Sequence, residues 1–216
     1  MEDYPLQQLM KEGHFTEAEV LDFCRHLGFD CYEDFQKQLV ADYILRVSQI
    51  RARMLGISAD KLLDNLDTSY DKKELVKTLE TICELIFKGR RVVIIGALYP
   101  MSIAVDFQTD FITFGKQVVE YHHFDKTFEY QEDDVVFIIS ATGRTLENYV
   151  KEGLDQNICD ANIVLMTQNV KYRNFHNICA DYVVQVPGRF DGVDFNYQIM
   201  AMFDILRLYY YQKYYI

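Results

Sequence analysis

Five short apolar runs constrain this chain more than any other feature. RVVIIG, KQVVEY, DVVFIIS, NIVLMT and YVVQVP begin at Arg91, Lys116, Asp134, Asn162 and Tyr182. Four of them are apolar at nearly every position, the pattern of strands buried on both faces rather than the alternation of a half-solvated sheet. The segments between them carry helical spacing near residues 100–114, 144–156 and 171–179, and a last helix is expected from about 194 to 213. Strand and helix in regular alternation predict an α/β domain with a parallel sheet covered on both faces. Right-handed crossovers favour an open doubly wound sheet, and for five strands the flavodoxin-like order 2-1-3-4-5. KQVVEY, the least apolar run, suits an edge.

Before residue 90 the character is different: LQQLMKEG, TEAEVLDFCRHLGF, YEDFQKQLVADYILRVSQIRARML and KKELVKTLETICELIFKG all have helical periodicity. Leu75, Leu79, Ile82, Leu85 and Ile86 fall on one face of the last of these. Thr16, ahead of Glu17 and Glu19, is a helix cap, and Gly28 and Gly56 are helix stops. The expected organisation is a small helical domain over residues 1–46, a helical linker over 47–74 and the α/β domain over 75–216. A chain of 216 residues has room for one full domain and a smaller attachment.

Composition narrows the setting. The longest apolar runs are far short of the ~20 residues that cross a bilayer, and MEDYPLQQ lacks the basic-then-apolar pattern of a signal peptide. A soluble cytoplasmic protein with no membrane partner is expected. Cys24, Cys31, Cys83, Cys159 and Cys179 are odd in number and never spaced CxxC, so reduced, packed thiols are expected and no metal site. The net charge of −11 repels polyanions in general.

In the 2-1-3-4-5 order the chain reverses direction between the first and third strands, and ligands bind outside their carboxyl ends. Two segments stand there: GALYPMS, residues 96–102, and SATGRT, residues 140–145. Small residues in SATGRT leave backbone amides unobstructed and the following helix adds the positive end of its dipole. Ser140, Thr142 and Thr145 add hydroxyl donors, and Arg144 adds a full charge where it turns inward. These features favour a phosphate. A helix cap made by Thr142 or Thr145 explains the same residues equally well.

Other clusters carry less. His122 and His123 point to opposite faces of a strand and do not share a metal. Glu120, Glu129, Glu132, Asp133 and Asp134 are expected as a solvated acidic surface. Glu147 fits either a proton-shuttling base or a charge that complements a helix dipole. The tail MFDILRLYYYQKYYI holds five tyrosines, a density that points to a subunit interface.

From RVVIIGALYPMSIAVDF through DVVFIISATGRTLE to ADYVVQVPGR, the chain over about residues 75–216 resembles the sugar isomerase (SIS) domain family. The family's Ser-x-Ser-Gly-x-Thr turn is matched by Ser140, Thr142, Gly143 and Thr145, with threonine for the second serine. The resemblance implies that this turn, with Arg144 beside it, holds the phosphate of a phosphorylated sugar or amino sugar. Gly96 matches the first glycine of the family's Gly-x-Gly-x-Ser loop. Leu98 and Pro100 replace its second glycine and serine, and Ser102 is near enough to substitute for the lost hydroxyl. No cofactor is implied, and no catalytic acid–base pair maps onto the sequence.

The N-terminal part resembles the end of the helix-turn-helix domain of RpiR-type transcriptional regulators, through Val20, Phe23, Leu27, Gly28 and Phe29. Such proteins join a DNA-binding head to a SIS domain and assemble as dimers or tetramers. The resemblance puts Glu17, Val20, Arg25 and His26 on the DNA-facing helix. RpiR-type heads begin with helices that have no counterpart before Tyr4, and the usual arginine before Phe23 is Asp22. Residues 1–53 hold six Lys/Arg against ten Asp/Glu, a net of −4. Cations that neutralise phosphates drive DNA binding, so weak DNA affinity is expected. Three functions fit, in this order: a phosphosugar-sensing regulator, a DNA-free phosphosugar-binding SIS protein, and a sugar-phosphate isomerase.

Overall fold

The computed structural model describes residues 4–54, 56–64, 66, 71–96, 99–122, 129–151, 158, 161–174, 179–187 and 192–215. The chain divides into two compact units, Met1–Leu55 and Gly56–Ile216. No helix among the described residues is long and apolar enough to cross a membrane.

The first unit contains helices α1 (Leu6–Gly13), α2 (Glu17–His26) and α3 (Tyr32–Met54). Helix α2 begins with a capping box: the Thr16 hydroxyl accepts from the Glu19 amide at 3.3 Å, and Glu19 accepts from the Thr16 amide at 2.8 Å. Those bonds to Thr16 hold the Glu19 carboxyl below its ordinary range. The helix stops where Gly28 adopts φ +88°, a conformation that disfavours any side chain. Val20, Cys24 and Tyr32 form the small core, with Leu6, Leu9, Met10, Phe29 and Phe35 packed around them.

The second unit contains α4 (Ala59–Asp64), α5 (Lys72–Lys88), β1 (Arg91–Gly96), α6 (Tyr99–Thr113), β2 (Gln117–His122) and β3 (Asp134–Ile139). It continues with α7 (Arg144–Lys151), β4 (Asn162–Thr167), a 3-10 turn (Val170–Asn174), β5 (Tyr182–Gln185) and α8 (Gly192–Tyr214). All strand pairs are parallel and the order is β2-β1-β3-β4-β5, as expected, with β2 at an edge.

Strand alternation divides the core in two. Val93, Ile95, Val136, Ile138, Ile163 and Leu165 pack on one face with Leu146 of α7, Ile158 and Tyr172. On the other face Phe137 meets Phe107 of α6 and Phe203 of α8, and Phe111 and Phe114 continue that stack to Tyr210. Aromatic edges and faces in contact add to plain area burial here.

Three expectations are corrected. The helix expected over 171–179 is a 3-10 turn at Val170–Asn174, because the Asn169 side chain accepts from the Lys171 amide at 3.1 Å and starts a tight turn instead; residues 175–178 lie outside the described residues. Asp134 is not part of a solvated surface: it is fully buried and receives two bonds of 2.8 Å from the Arg91 guanidinium. Finally, Cys179 is disulfide-bonded, while Cys24, Cys31 and Cys83 are free thiols; spacing along the chain does not report proximity in the fold.

Candidate anion-binding turn

The turn Ser140–Thr145 connects the carboxyl end of β3 to the first residues of α7. Because β3 pairs with β1, and Ile95 lies beside Ile138, Gly96 ends the neighbouring strand at the same edge of the sheet. Five of the seven expected ligand positions lie within this one turn, and Gly96 is adjacent. Ser102 falls in the first turns of α6. Its side chain is outside the described residues, as are Ala97 and Leu98.

The chain turns at Gly143, where φ is +78°. Its amide donates to the Ser140 carbonyl at 3.0 Å. The Thr142 hydroxyl accepts from the Arg144 amide at 3.3 Å and the Ser140 hydroxyl from the Thr145 amide at 3.4 Å. Both bonds are longer than the usual 2.7–3.2 Å for an amide donor. The Thr142 bond is the local cap that the sequence left open, the second is made by Ser140 rather than Thr145, and each hydroxyl that accepts still carries a proton to donate. Among the described residues nothing accepts from the amides of Ala141 and Thr142. Ala141, Thr142 and Thr145 are half-buried and Arg144 is exposed, so the turn is not sealed under packing.

What holds the turn in shape comes from the end of β4. The Ala141 carbonyl accepts from the Gln168 amide at 3.2 Å and from the Thr167 hydroxyl at 2.9 Å. Asn169 Nδ2 donates to the Thr142 carbonyl at 2.8 Å. The Ala141 and Thr142 carbonyls are thus both engaged by residues at the end of β4, and the Ser140 amide donates to the Met166 carbonyl of that strand at 3.0 Å. Tyr172 completes the support: its ring lies against Gly143, and its hydroxyl donates to Glu147 Oε1. Burial, followed by the bond to Glu147 and its negative charge, pushes the Tyr172 phenol up to about 12. Thr167, Gln168, Asn169 and Tyr172 were not anticipated as site residues. The polar triplet directly after an apolar strand was the available signal.

The positions carried over for DNA contact lie on α2. Glu17, Arg25 and His26 are exposed, whereas Val20 is buried at 6% exposure in the core of the unit and acts there as a packing residue. His26 Nδ1 lies 3.5 Å from the Asp22 carboxylate, so an acid accompanies the one histidine of this helix. No group of three or more metal-ligating side chains occurs among the described residues. His123 is outside them.

A parallel five-stranded sheet in this order, with a polar turn at its switch point, defines a doubly wound α/β domain. No protein-family model and no curated protein sequence matches the chain. Among solved structures, a Methanococcus jannaschii protein, whose structure was taken to infer a 3-hexulose-6-phosphate isomerase, matches with a TM-score of 0.51 at 17% identity, over 72% of this chain and 88% of its own. The Vibrio vulnificus NanR protein, in complex with ManNAc-6P, matches with a TM-score of 0.52 at 18% identity, over 95% of this chain and 78% of its own. A Listeria monocytogenes protein described as a candidate sugar-phosphate isomerase matches with a TM-score of 0.52 at 19% identity, over 82% of this chain and 91% of its own. The likeness is one of fold, shared by proteins described as isomerases and by a protein that holds a sugar phosphate.

Proposed function

We propose that this chain is a cytoplasmic phosphosugar-sensing regulator of the RpiR type, whose SIS domain binds a sugar phosphate and does not catalyse its conversion. The observation that carries the proposal is the Ser140–Thr145 turn. Two amides without acceptors among the described residues, two hydroxyls with protons to give and a helix N-terminus converge at the switch point of the sheet. A doubly charged phosphate satisfies that donor set better than water or a neutral ligand. Fold likeness to the ManNAc-6P-bound NanR over 95% of this chain supports a phosphorylated sugar or amino sugar as the ligand, and the participation of the N-terminal helices. In a dimer or tetramer the ligand would act by preferring one arrangement of subunits.

Glu17, Glu19 and Asp22 on α2 favour a second version of this function, a sensor that no longer engages DNA. Thermal-shift screening of hexose and N-acetylhexosamine phosphates against their unphosphorylated parents tests the ligand class. Phosphorylated members are expected to raise the Tm and the parents to leave it unchanged; a screen in which no phosphosugar acts would refute the proposal. Electrophoretic shift with upstream DNA at physiological salt separates the two versions. A coupled ketose–aldose assay, expected to be silent, tests the isomerase alternative that the Methanococcus and Listeria likenesses raise.

A further inference from the structure

The phosphate turn has a competitor built into its own helix. Glu147 stands in the first turn of α7, and helical side chains lean toward the helix N-terminus. A carboxylate at that end is drawn by the helix dipole and by amides that lack partners. Among the described residues, the amides without an acceptor here are those of Ala141 and Thr142. Glu147 nevertheless bonds elsewhere, to the hydroxyl of Tyr172. Tyr172 is itself fixed: it is 5% exposed, belongs to the core formed by Leu146, Ile158 and Leu165, and its ring rests on Gly143.

We infer that Tyr172 is a positioning residue for the phosphate turn and acts through Glu147, tethering that carboxylate away from the Ala141 and Thr142 amides so that they stay open to an anionic ligand. The inference rests on the phosphosugar function proposed above. Two charged groups bear on the phenol, Glu147 and Arg144 on the same helix, and the phenol remains protonated well above neutrality, so it donates to Glu147 across physiological pH. Without it, ligand and Glu147 would compete for the same donors. Repulsion between the carboxylate and a phosphate dianion would add to the competition.

Tyr172→Phe keeps the ring on Gly143 and removes only the hydroxyl, so the fold is retained. Two readouts then separate tether from packing. In the ligand-free protein, the amide resonances of Ala141 and Thr142 are expected to differ between Tyr172→Phe and Tyr172→Phe/Glu147→Gln, because the released carboxylate reaches those amides only in the first. They should agree between wild type and Glu147→Gln. Identical resonances in Tyr172→Phe and Tyr172→Phe/Glu147→Gln overturn the inference whether or not a ligand binds. With inorganic phosphate as the probe in calorimetric titration, Tyr172→Phe should bind about fivefold more weakly, the size of a charge effect at a helix end. Glu147→Gln in the same background should restore the affinity; equal weakening in the single and double variants would mark Tyr172 as packing alone and overturn the inference. Absence of phosphate or phosphosugar binding in wild type overturns the site itself, and the resonance test still decides the tether.

Discussion

The ring of Tyr172 occupies the space that a side chain on Gly143 would need: a Cβ built there would lie 2.6 Å from Tyr172 Cζ and closer still to Cε2. Backbone and packing therefore both demand glycine, since φ at this residue is +78°. Gly143→Ala is expected to destabilise the protein by about 2–5 kcal/mol, combining a left-handed alanine with an overpacked contact. In a Tyr172→Ala background the contact is gone, and the same substitution should cost only about 1–2 kcal/mol. Urea denaturation of the four proteins measures the coupling. Equal costs in the two backgrounds would show that the ring does not define the turn.

Thr142→Val tests the turn as a binding site. Its hydroxyl makes one long bond of 3.3 Å to the Arg144 amide, so the loss of stability should stay within about 1 kcal/mol. A hydroxyl that donates to a phosphate contributes more, about 1.5–3 kcal/mol, which is roughly tenfold or more in Kd. Wild type in a hundredfold excess of ligand over Kd gains about 2.7 kcal/mol of apparent stability, and the variant should lose about half of that gain or more. Matched thermal shifts with and without the phosphosugar read this directly. An unchanged ligand-induced shift would remove Thr142 from the site.

Arg91 and Asp134 face each other at the start of β1 and β3, where the strand register also pairs them. Asp134 receives both guanidinium bonds and a third, from the Gln131 amide at 3.0 Å. Asp134→Ala leaves a largely buried cation without its partner and should cost about 3–5 kcal/mol. Replacing both members of the pair with apolar side chains, in an Arg91→Met/Asp134→Leu variant, should cost much less, because neither charge then stays buried alone. Guanidinium titration distinguishes the two cases. A double variant as unstable as the single one would mean that the pair, and not merely its balance, is required.

Much of this architecture was legible because it is written in local patterns. Continuous apolar runs named all five strands, the handedness of crossovers ordered them, and Thr16, Gly28 and Gly56 marked helix ends within a residue or so. The position expected for the site came from topology alone. Its support did not, since Thr167, Gln168 and Asn169 reach Ala141 and Thr142 across more than twenty residues of chain. No periodicity records such a contact. Asp134 misled for a related reason: five acidic residues in one neighbourhood read as surface, and only the register with Arg91 buries one of them.

Alkaline pH offers a last test, through the buried phenols. Burial raises Tyr172 from an ordinary value near 10.0 to about 12, with the bond to Glu147 adding to it, and burial raises Tyr210 further. Burial also pushes the Cys83 thiol up to about 12. A group whose native pKa lies above its unfolded value keeps its proton in the native state while the unfolded chain has lost it. The unfolded state then binds fewer protons, and stability declines as pH rises. For Tyr172 this contribution is complete below about pH 10 and disappears as pH approaches about 12. Stability measured by urea at successive pH values should therefore fall through that window, and Tyr172→Phe should fall less steeply. Ultraviolet titration of the native protein supplies the independent check: the last tyrosines to ionise should be fewer by one in the variant. If Tyr172→Phe leaves both the slope and the late titration unaltered, the phenol is not held protonated by its surroundings.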